Sequence, residues 1–285
     1  MRIGYLSTLY HTSHMLRIEN VVKAEWRIFG TGVAIINAME RGEIDLAYVG
    51  LTPAILGIDR GLDMVCIAGG HVEGTAIVGR ECGAFPDCLE GKRVGVPSRG
   101  SIHDVILRSY LEHVDFEVVN YPWAEMVFDD FIDGKLDFAC GTPNLAVLTM
   151  RYGARLAVDM ESVWPWNPNY GIVVRRKYLE DNFESIKDFL IKHEWASNIL
   201  REAPDHSASL LERYLRGELG KDVVERILKL SPKYCSSLPE EYVRSAISLS
   251  REMERLGYIS SRLSERDVFD YELVREIHPQ PQHYK

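Results

Sequence analysis

The residues able to do chemistry in this chain gather where short apolar runs give way to helical patterns. Ser98-Arg99-Gly100-Ser101 is the strongest such place, between the apolar run at 93–96 and a helical pattern from 101. A helix start there turns several free N–H groups toward one point. Gly100 permits close backbone approach, and Arg99 suits a bidentate pair with a carboxylate, sulfonate or phosphate. The competing reading has Ser101 only capping its helix and Arg99 solvated. The turn at 7–14 offers a second cradle, with Thr8, Tyr10, His11 and Thr12 ahead of a short helix. Thr8 or Thr12 serving as a plain N-cap is the alternative. His11 and His14 stand three apart on that helix. Two histidines without a third ligand at helical spacing give no metal site, though His11 can donate to a ligand oxygen.

Further candidates have the same two-sided character. Gly50 and Thr52 lie in one Thr-Pro turn and Thr142 in another, so the two hydroxyls are expected to face each other across a cleft, to cap helices, or to do both. His71 and Glu73 alternate along an extended stretch and share a face. They form either an acid–base couple or a hydrogen-bonded hinge, and Gly69, Gly70 and Gly74 favour the hinge. Trp164 and Trp166, with Asn167, sit in a rigid Trp-Pro-Trp-Asn-Pro loop. Their indoles either wall a ligand or close a core edge.

The elements that must hold these residues repeat. Residues 42–56 read Gly-Glu-Ile-Asp-Leu-Ala-Tyr-Val-Gly-Leu-Thr-Pro-Ala-Ile-Leu. Residues 134–148 echo them as Gly-Lys-Leu-Asp-Phe-Ala-Cys-Gly-Thr-Pro-Asn-Leu-Ala-Val-Leu. Each copy predicts a helix stopped on glycine, a short strand, a turn and a second helix. Strand and helix patterns alternate up to about residue 174, and from 178 onward the patterns are helical only. Extended segments at 75–78 and 170–174 are expected to pair as crossovers between two α/β lobes. Lobe one would hold 1–77 plus 172–285, with the C-terminal helices, and lobe two 78–171. The tail from 278 is expected to be disordered.

With 285 residues, 46% hydrophobic and 26% charged, the chain can bury two medium cores. A net charge of −9 without a basic stripe excludes a nucleic-acid partner, and no apolar run reaches the roughly twenty residues of a membrane span. Met1-Arg2 runs straight into the first apolar strand. As written this predicts a cytoplasmic protein, and a mature form would place it outside the cytoplasm. The five cysteines lack zinc-type spacing. Cys82 and Cys88 would pair in an oxidising compartment or stay as two reduced loop thiols. No metal and no cofactor is expected.

The order of several stretches, none specific alone, resembles the type II periplasmic-binding-protein fold. The similarity is to its solute-binding family for sulfonates, nitrate, taurine and thiamine precursors. The stretches are 38–45 with the Gly50-Leu51-Thr52-Pro53 turn, 95–101, 134–137, and Tyr170-Gly171-Ile172-Val173-Val174-Arg175-Arg176. The resemblance runs nearly the whole length, although the first helix is short. It implies a two-lobed α/β protein, each lobe a sheet flanked by helices. Such a protein binds a small anionic or zwitterionic organic solute between its lobes and delivers it to a membrane permease in an ABC-type uptake system. The alternative is a cytoplasmic enzyme on the same fold, acting on a small carboxylated metabolite as in menaquinone- or thiamine-precursor biosynthesis. His11, His71 and His103 favour it. The lack of a nucleophile motif, and of the lysine and histidine that the pyrimidine-synthase branch carries at the 50–53 turn, weighs against it.

Overall fold

Asp45 and Asp137, the acids of the two repeated Gly-x-x-Asp runs, perform the same task in two places. Asp45 Oδ2 accepts the backbone N–H of Arg2 at 2.9 Å, and Asp137 Oδ2 accepts that of Arg93 at 2.9 Å. Each therefore pins the start of one strand to the start of another. The glycines of the same runs, Gly42 (φ 71°) and Gly134 (φ 75°), take the left-handed conformation that ends a helix cheaply only for glycine. The next N–H in each case reaches back to the helix, Glu43 to the Ala38 carbonyl and Lys135 to the Asp130 carbonyl, both at 2.9 Å. The repeat is thus a helix stop and a strand anchor, used twice.

The computed structural model describes residues 1–284. The first unit contains β1 (Arg2–Leu6), α1 (Thr12–Ile18), β2 (Glu25–Phe29), α2 (Gly32–Glu40), β3 (Leu46–Val49), α3 (Leu51–Asp59) and β4 (Met64–Val72). The second follows as β5 (Ala76–Gly79), β6 (Arg93–Pro97), α4 (Ile102–Tyr110), β7 (Glu117–Tyr121), α5 (Ala124–Ile132), β8 (Phe138–Gly141), α6 (Pro143–Met150), β9 (Arg155–Leu156) and α7 (Met160–Val163). Then β10 (Pro168–Arg175) returns, and the chain ends in helices α8 (Arg176–Asp181), α9 (Phe183–Glu202), α10 (Pro204–Tyr214), α11 (Lys221–Leu230), α12 (Glu240–Arg255), α13 (Glu265–Val268) and α14 (Glu272–Ile277).

Two five-stranded sheets result, ordered β2-β1-β3-β10-β4 and β7-β6-β8-β5-β9. In each, three parallel strands are followed by one antiparallel strand that arrives from elsewhere in the chain. The central strands β3, β5 and β8 are buried along their whole length, as strands covered by helices on both faces must be. The fold is the expected two-lobed α/β one, with a sheet and flanking helices in each lobe. The C-terminal helices pack against both, since α12 touches α3 and α4 while α11 touches α6.

Two expectations need correction. The segments at 75–78 and 170–174 do not pair with each other: β5 bonds to β8 and β9, and β10 to β3 and β4. Each is a full member of a sheet, because its apolar residues are worth more inside a core than in a bare connection. The chain instead passes between the sheets at 73–75 and 157–167, and those passages lie side by side. Glu73 N–H donates to the Asn167 carbonyl at 3.0 Å, and Trp166 N–H to Glu73 Oε1 at 2.9 Å. The tail is not disordered over its described part. Tyr284 is buried, and its hydroxyl donates to the Cys235 carbonyl at 2.6 Å. Helices α7, α8, α13 and α14 carry four to six residues each, too short to leave an apolar period in the sequence. Cys82 and Cys88 form a disulfide, and Cys66, Cys140 and Cys235 are free and buried.

Candidate functional site

Strands of the two sheets end facing one another, and the helices that follow start there. Five helices of eight or nine residues open onto one cavity. From the first lobe come Thr31 and Gly32 at the start of α2, and Gly50 and Pro53 at α3. From the second come Ser101, Ile102 and His103 at α4, Ala124 at α5 and Thr142 at α6. The turn before α1 adds Ser7, Thr8, Tyr10 and His11, and β10 adds Asn169. The free space inside the cavity is small, about 50 Å³, less than the roughly 300–1,000 Å³ of sites for drug-sized ligands.

Among the described residues, no lysine, arginine, aspartate or glutamate lines it. The two histidines in its wall are neutral. Burial drives the His11 imidazole well below its ordinary range, and the nearby imidazoles of His14, His71 and His193 add to that. Burial alone takes His103 down to about 4, and its Nδ1 lies 3.0 Å from the Thr75 hydroxyl. What remains is the partial positive charge of helix starts and a few polar side chains. Two of those are buried without a partner, His11 Nδ1 and Asn169 Nδ2. Asn169 is oriented by the Tyr10 hydroxyl, which donates to its Oδ1. An unpartnered buried amide is costly, and a ligand oxygen would satisfy it. The arrangement can hold an anion through dipoles and hydrogen bonds, without a salt bridge.

The lobes touch across the cavity. The Ser7 hydroxyl donates to Glu125 Oε1 at 2.9 Å, and Thr52 Oγ1 to the Gly100 carbonyl at 3.2 Å. Gly30 lies so close to the indole of Trp123 that a Cβ there would stand 2.4 Å from the ring.

Of the residues proposed from sequence, Thr8, Tyr10, His11, Gly50, Ser101 and Thr142 come together in this wall. The others lie elsewhere. Thr12 is buried behind the wall, its hydroxyl 3.1 Å from the Tyr48 hydroxyl and 2.7 Å from His193 Nδ1. Thr52 spends its hydroxyl on the Gly100 carbonyl, and Thr142, in the wall, caps α6 through the Leu145 N–H, so each hydroxyl is already engaged. His71 gives Nε2–H to the Ser231 carbonyl at 2.7 Å and stacks behind Tyr10. Ser98 has a buried hydroxyl outside the cavity, and Arg99 is exposed and lies over the Tyr258 ring at 5.2 Å. Gly100 (φ 83°) is tied down by the chain's own carboxylate, since its N–H donates to Asp104 Oδ2 at 2.8 Å. That bond, together with Arg99 facing outward, removes most of the cradle expected at 98–101. Trp164 Nε1–H donates to the Ser245 hydroxyl, Trp166 packs on Tyr284, and the Asn167 amide donates to the Trp164 carbonyl. All three belong to the crossover.

Sequence reasoning missed Gly30-Thr31-Gly32, although it has the same form as the turns that were noticed: an apolar strand, then Gly-Thr-Gly, then a helical run. It also missed Asn169, which no local pattern marks, because its polar side chain is buried inside an apolar strand.

Known proteins of similar sequence and structure share this architecture. A putative aliphatic sulfonates-binding protein of Bacillus subtilis (strain 168) is 23% identical over 264 residues, covering 90% of this chain and 78% of that protein. The taurine-binding periplasmic protein of Escherichia coli (strain K12) is 25% identical over 180 residues, 60% of this chain and 55% of that one. The alkanesulfonate-binding protein of Xanthomonas axonopodis pv. citri, solved bound to MOPS, superposes with a TM-score of 0.79 at 20% identity, over 94% of this chain and 97% of that one. The NMT1-like family model matches residues 1–213. With three-quarters of its length matched in this way, the chain belongs to the NMT1-like family.

Proposed function

We propose that this protein binds a small organic sulfonate between its lobes, as the substrate-binding component of an ABC-type importer. One observation carries the reading: five helix starts converge on a cavity that no charged side chain among the described residues lines. A sulfonate keeps its charge at every physiological pH and spreads it over three oxygens, so several weak N–H and O–H donors suit it better than one cation. Each helix start contributes about 0.3–1 kcal/mol, and each hydrogen bond to a charged group about 1.5–3 kcal/mol. The relatives named for sulfonates and taurine support that ligand class. We divide the lobes at the side-by-side passages, 73–75 and 157–167, a few residues before the 77/78 and 171/172 boundaries expected from sequence, with those passages acting as the hinge.

Delivery to a membrane permease and a location outside the cytoplasm belong to the same reading. The Cys82–Cys88 disulfide supports that location, since such bonds persist in oxidising compartments. No helix among the described residues is long and apolar enough to cross a membrane. Catalysis on this site is disfavoured. Ser101 Oγ donates to the Pro97 carbonyl at 3.0 Å and accepts from Asp104 N–H, which occupies it as a cap. Calorimetric titration with taurine, ethanesulfonate, propionate and nitrate tests the reading. One site with micromolar affinity for a sulfonate, at least about tenfold tighter than for propionate, supports it. No heat with either sulfonate, or turnover of the added sulfonate, overturns it.

A further inference from the structure

A second cluster of donor atoms lies away from the cleft, where the C-terminal segment folds back. Cys235, on the connection from α11 to α12, runs beside β4, with Cys235 N–H donating to the Gly70 carbonyl at 3.2 Å and Gly69 N–H to the Ser236 carbonyl at 2.8 Å. The Tyr284 hydroxyl clamps the tail over this segment. His278 Nε2 then stands 3.2 Å from Cys235 Sγ, and His283 Nδ1 stands 3.4 Å from His278 Nε2. All three donor atoms lie within 4.8 Å of one another. Glu194 Oε1 on α9 approaches His278 Nε2 to 3.8 Å.

These separations have a meaning for metal chemistry. With Zn–S near 2.3 Å and Zn–N near 2.0–2.1 Å, neighbouring donors of a tetrahedral zinc stand roughly 3.3–3.6 Å apart. The cysteine–histidine and histidine–histidine distances already fall within a few tenths of that. The outer contacts fit as well. His278 Nδ1 lies 3.0 Å from the Gln280 carbonyl. A carbonyl only accepts, so Nδ1 carries a proton and Nε2 is the nitrogen left to bind a metal once any proton on it leaves, the backing that metal-bound imidazoles have. The other oxygen of Glu194 is fixed by the Ser236 hydroxyl. His283 N–H points at the Cys235 sulfur at 3.4 Å. Cys235 is fully buried, yet a groove lined by Ser237, His278, Gln280 and Gln282 gives access from solvent.

We propose that Cys235 Sγ, His278 Nε2 and His283 Nδ1 form a zinc(II) site, with the Glu194 carboxylate, which stands outside that set, moving in as the fourth ligand. Soft sulfur, two imidazoles and one carboxylate in a closed set select zinc for a structural role. The ion staples the tail to α9 and to the α11–α12 connection. The site shares no residue with the cleft and does not depend on what the cleft binds.

The test uses the full chain without a histidine tag, stripped with EDTA and titrated with zinc chloride, with cobalt(II) as the spectroscopic probe. One equivalent of zinc per chain is expected. So are a thiolate-to-cobalt charge-transfer band that zinc displaces and a melting temperature that rises with zinc. Cys235→Ser removes the band. His283→Ala, at a half-buried position where misfolding is a lesser concern, weakens zinc binding by at least about tenfold with circular dichroism unchanged. Failure of the wild-type chain to take up zinc at micromolar concentration overturns the proposal. So does equal uptake by well-folded Cys235→Ser and His283→Ala chains, which would place the ion elsewhere.

Discussion

Asn169 carries more of the proposed recognition than any other side chain in the cleft, because its amide is buried, held by Tyr10 and left with an unpartnered Nδ2. Asn169→Asp keeps the shape and turns a donor into a negative charge facing the ligand. Sulfonate affinity is expected to fall by at least about a hundredfold, the loss of one charge-assisted hydrogen bond plus repulsion. Titration of the variant checks this, and an affinity within about threefold of wild type would remove Asn169 from the site. Arg99 gives the opposite expectation. Lying over Tyr258 and outside the cavity, it can be replaced by alanine with sulfonate affinity changed by less than about twofold. A large loss in Arg99→Ala would show that the ligand is held by a salt bridge after all.

At the scale of elements, the loop before α4 depends on one buried acid. Asp104 accepts from Gly100 N–H, Tyr258 O–H, Arg108 Nε–H and the Asn120 amide at 2.5–3.0 Å. Asp104→Ala leaves those donors unpaired and is expected to cost about 3 kcal/mol of stability, read by urea denaturation. The α2 start makes the second case. A methyl at Gly30 would meet the Trp123 ring, so Gly30→Ala is expected to hold the lobes apart and weaken sulfonate binding about tenfold while leaving the melting temperature nearly unchanged. Much of this level was readable in the chain. The echo of 42–56 in 134–148 was readable because its glycine stop is a local device, fixed within one helix end, while the aspartate anchors to Arg2 and Arg93 lie far off in sequence and left no local mark. The occupants of the cavity were only half readable. A helix start announces free N–H groups, but whether another part of the chain already claims them does not show locally. Asp104 claims the Gly100 N–H four residues on, and Gly100 takes the Thr52 hydroxyl from 48 residues away. The crossover strands misled for a related reason. An apolar extended run says that it will be buried, not in which sheet.

For the molecule as a whole, buried imidazoles set the response to acid. Burial lowers His14, His71, His103 and His193 to about 4 each, with flanking carbonyl groups only partly offsetting it at all but His103. In the unfolded chain they titrate near 6.5, so on acidification the unfolded state takes up protons first. Stability is therefore whole above about pH 6.5 and declines as pH falls toward about 4, by up to roughly 3 kcal/mol per histidine as an upper bound. Denaturant titrations across that window check the slope, and a stability that rose on acidification would contradict the neutral, buried assignment. Sulfonate affinity, by contrast, should stay flat between about pH 6 and 8, since neither the ligand nor the cavity wall titrates there. The central claim is that an anion is held by helix starts and neutral polar side chains without a cation, and a crystal structure of the protein with ethanesulfonate tests it most directly. The sulfonate oxygens are predicted to lie within hydrogen-bond distance of N–H groups opening α2, α4 and α6 and of Asn169 Nδ2. Density for the sulfonate on Arg99 or another surface cation, with the cleft left to water, would contradict it.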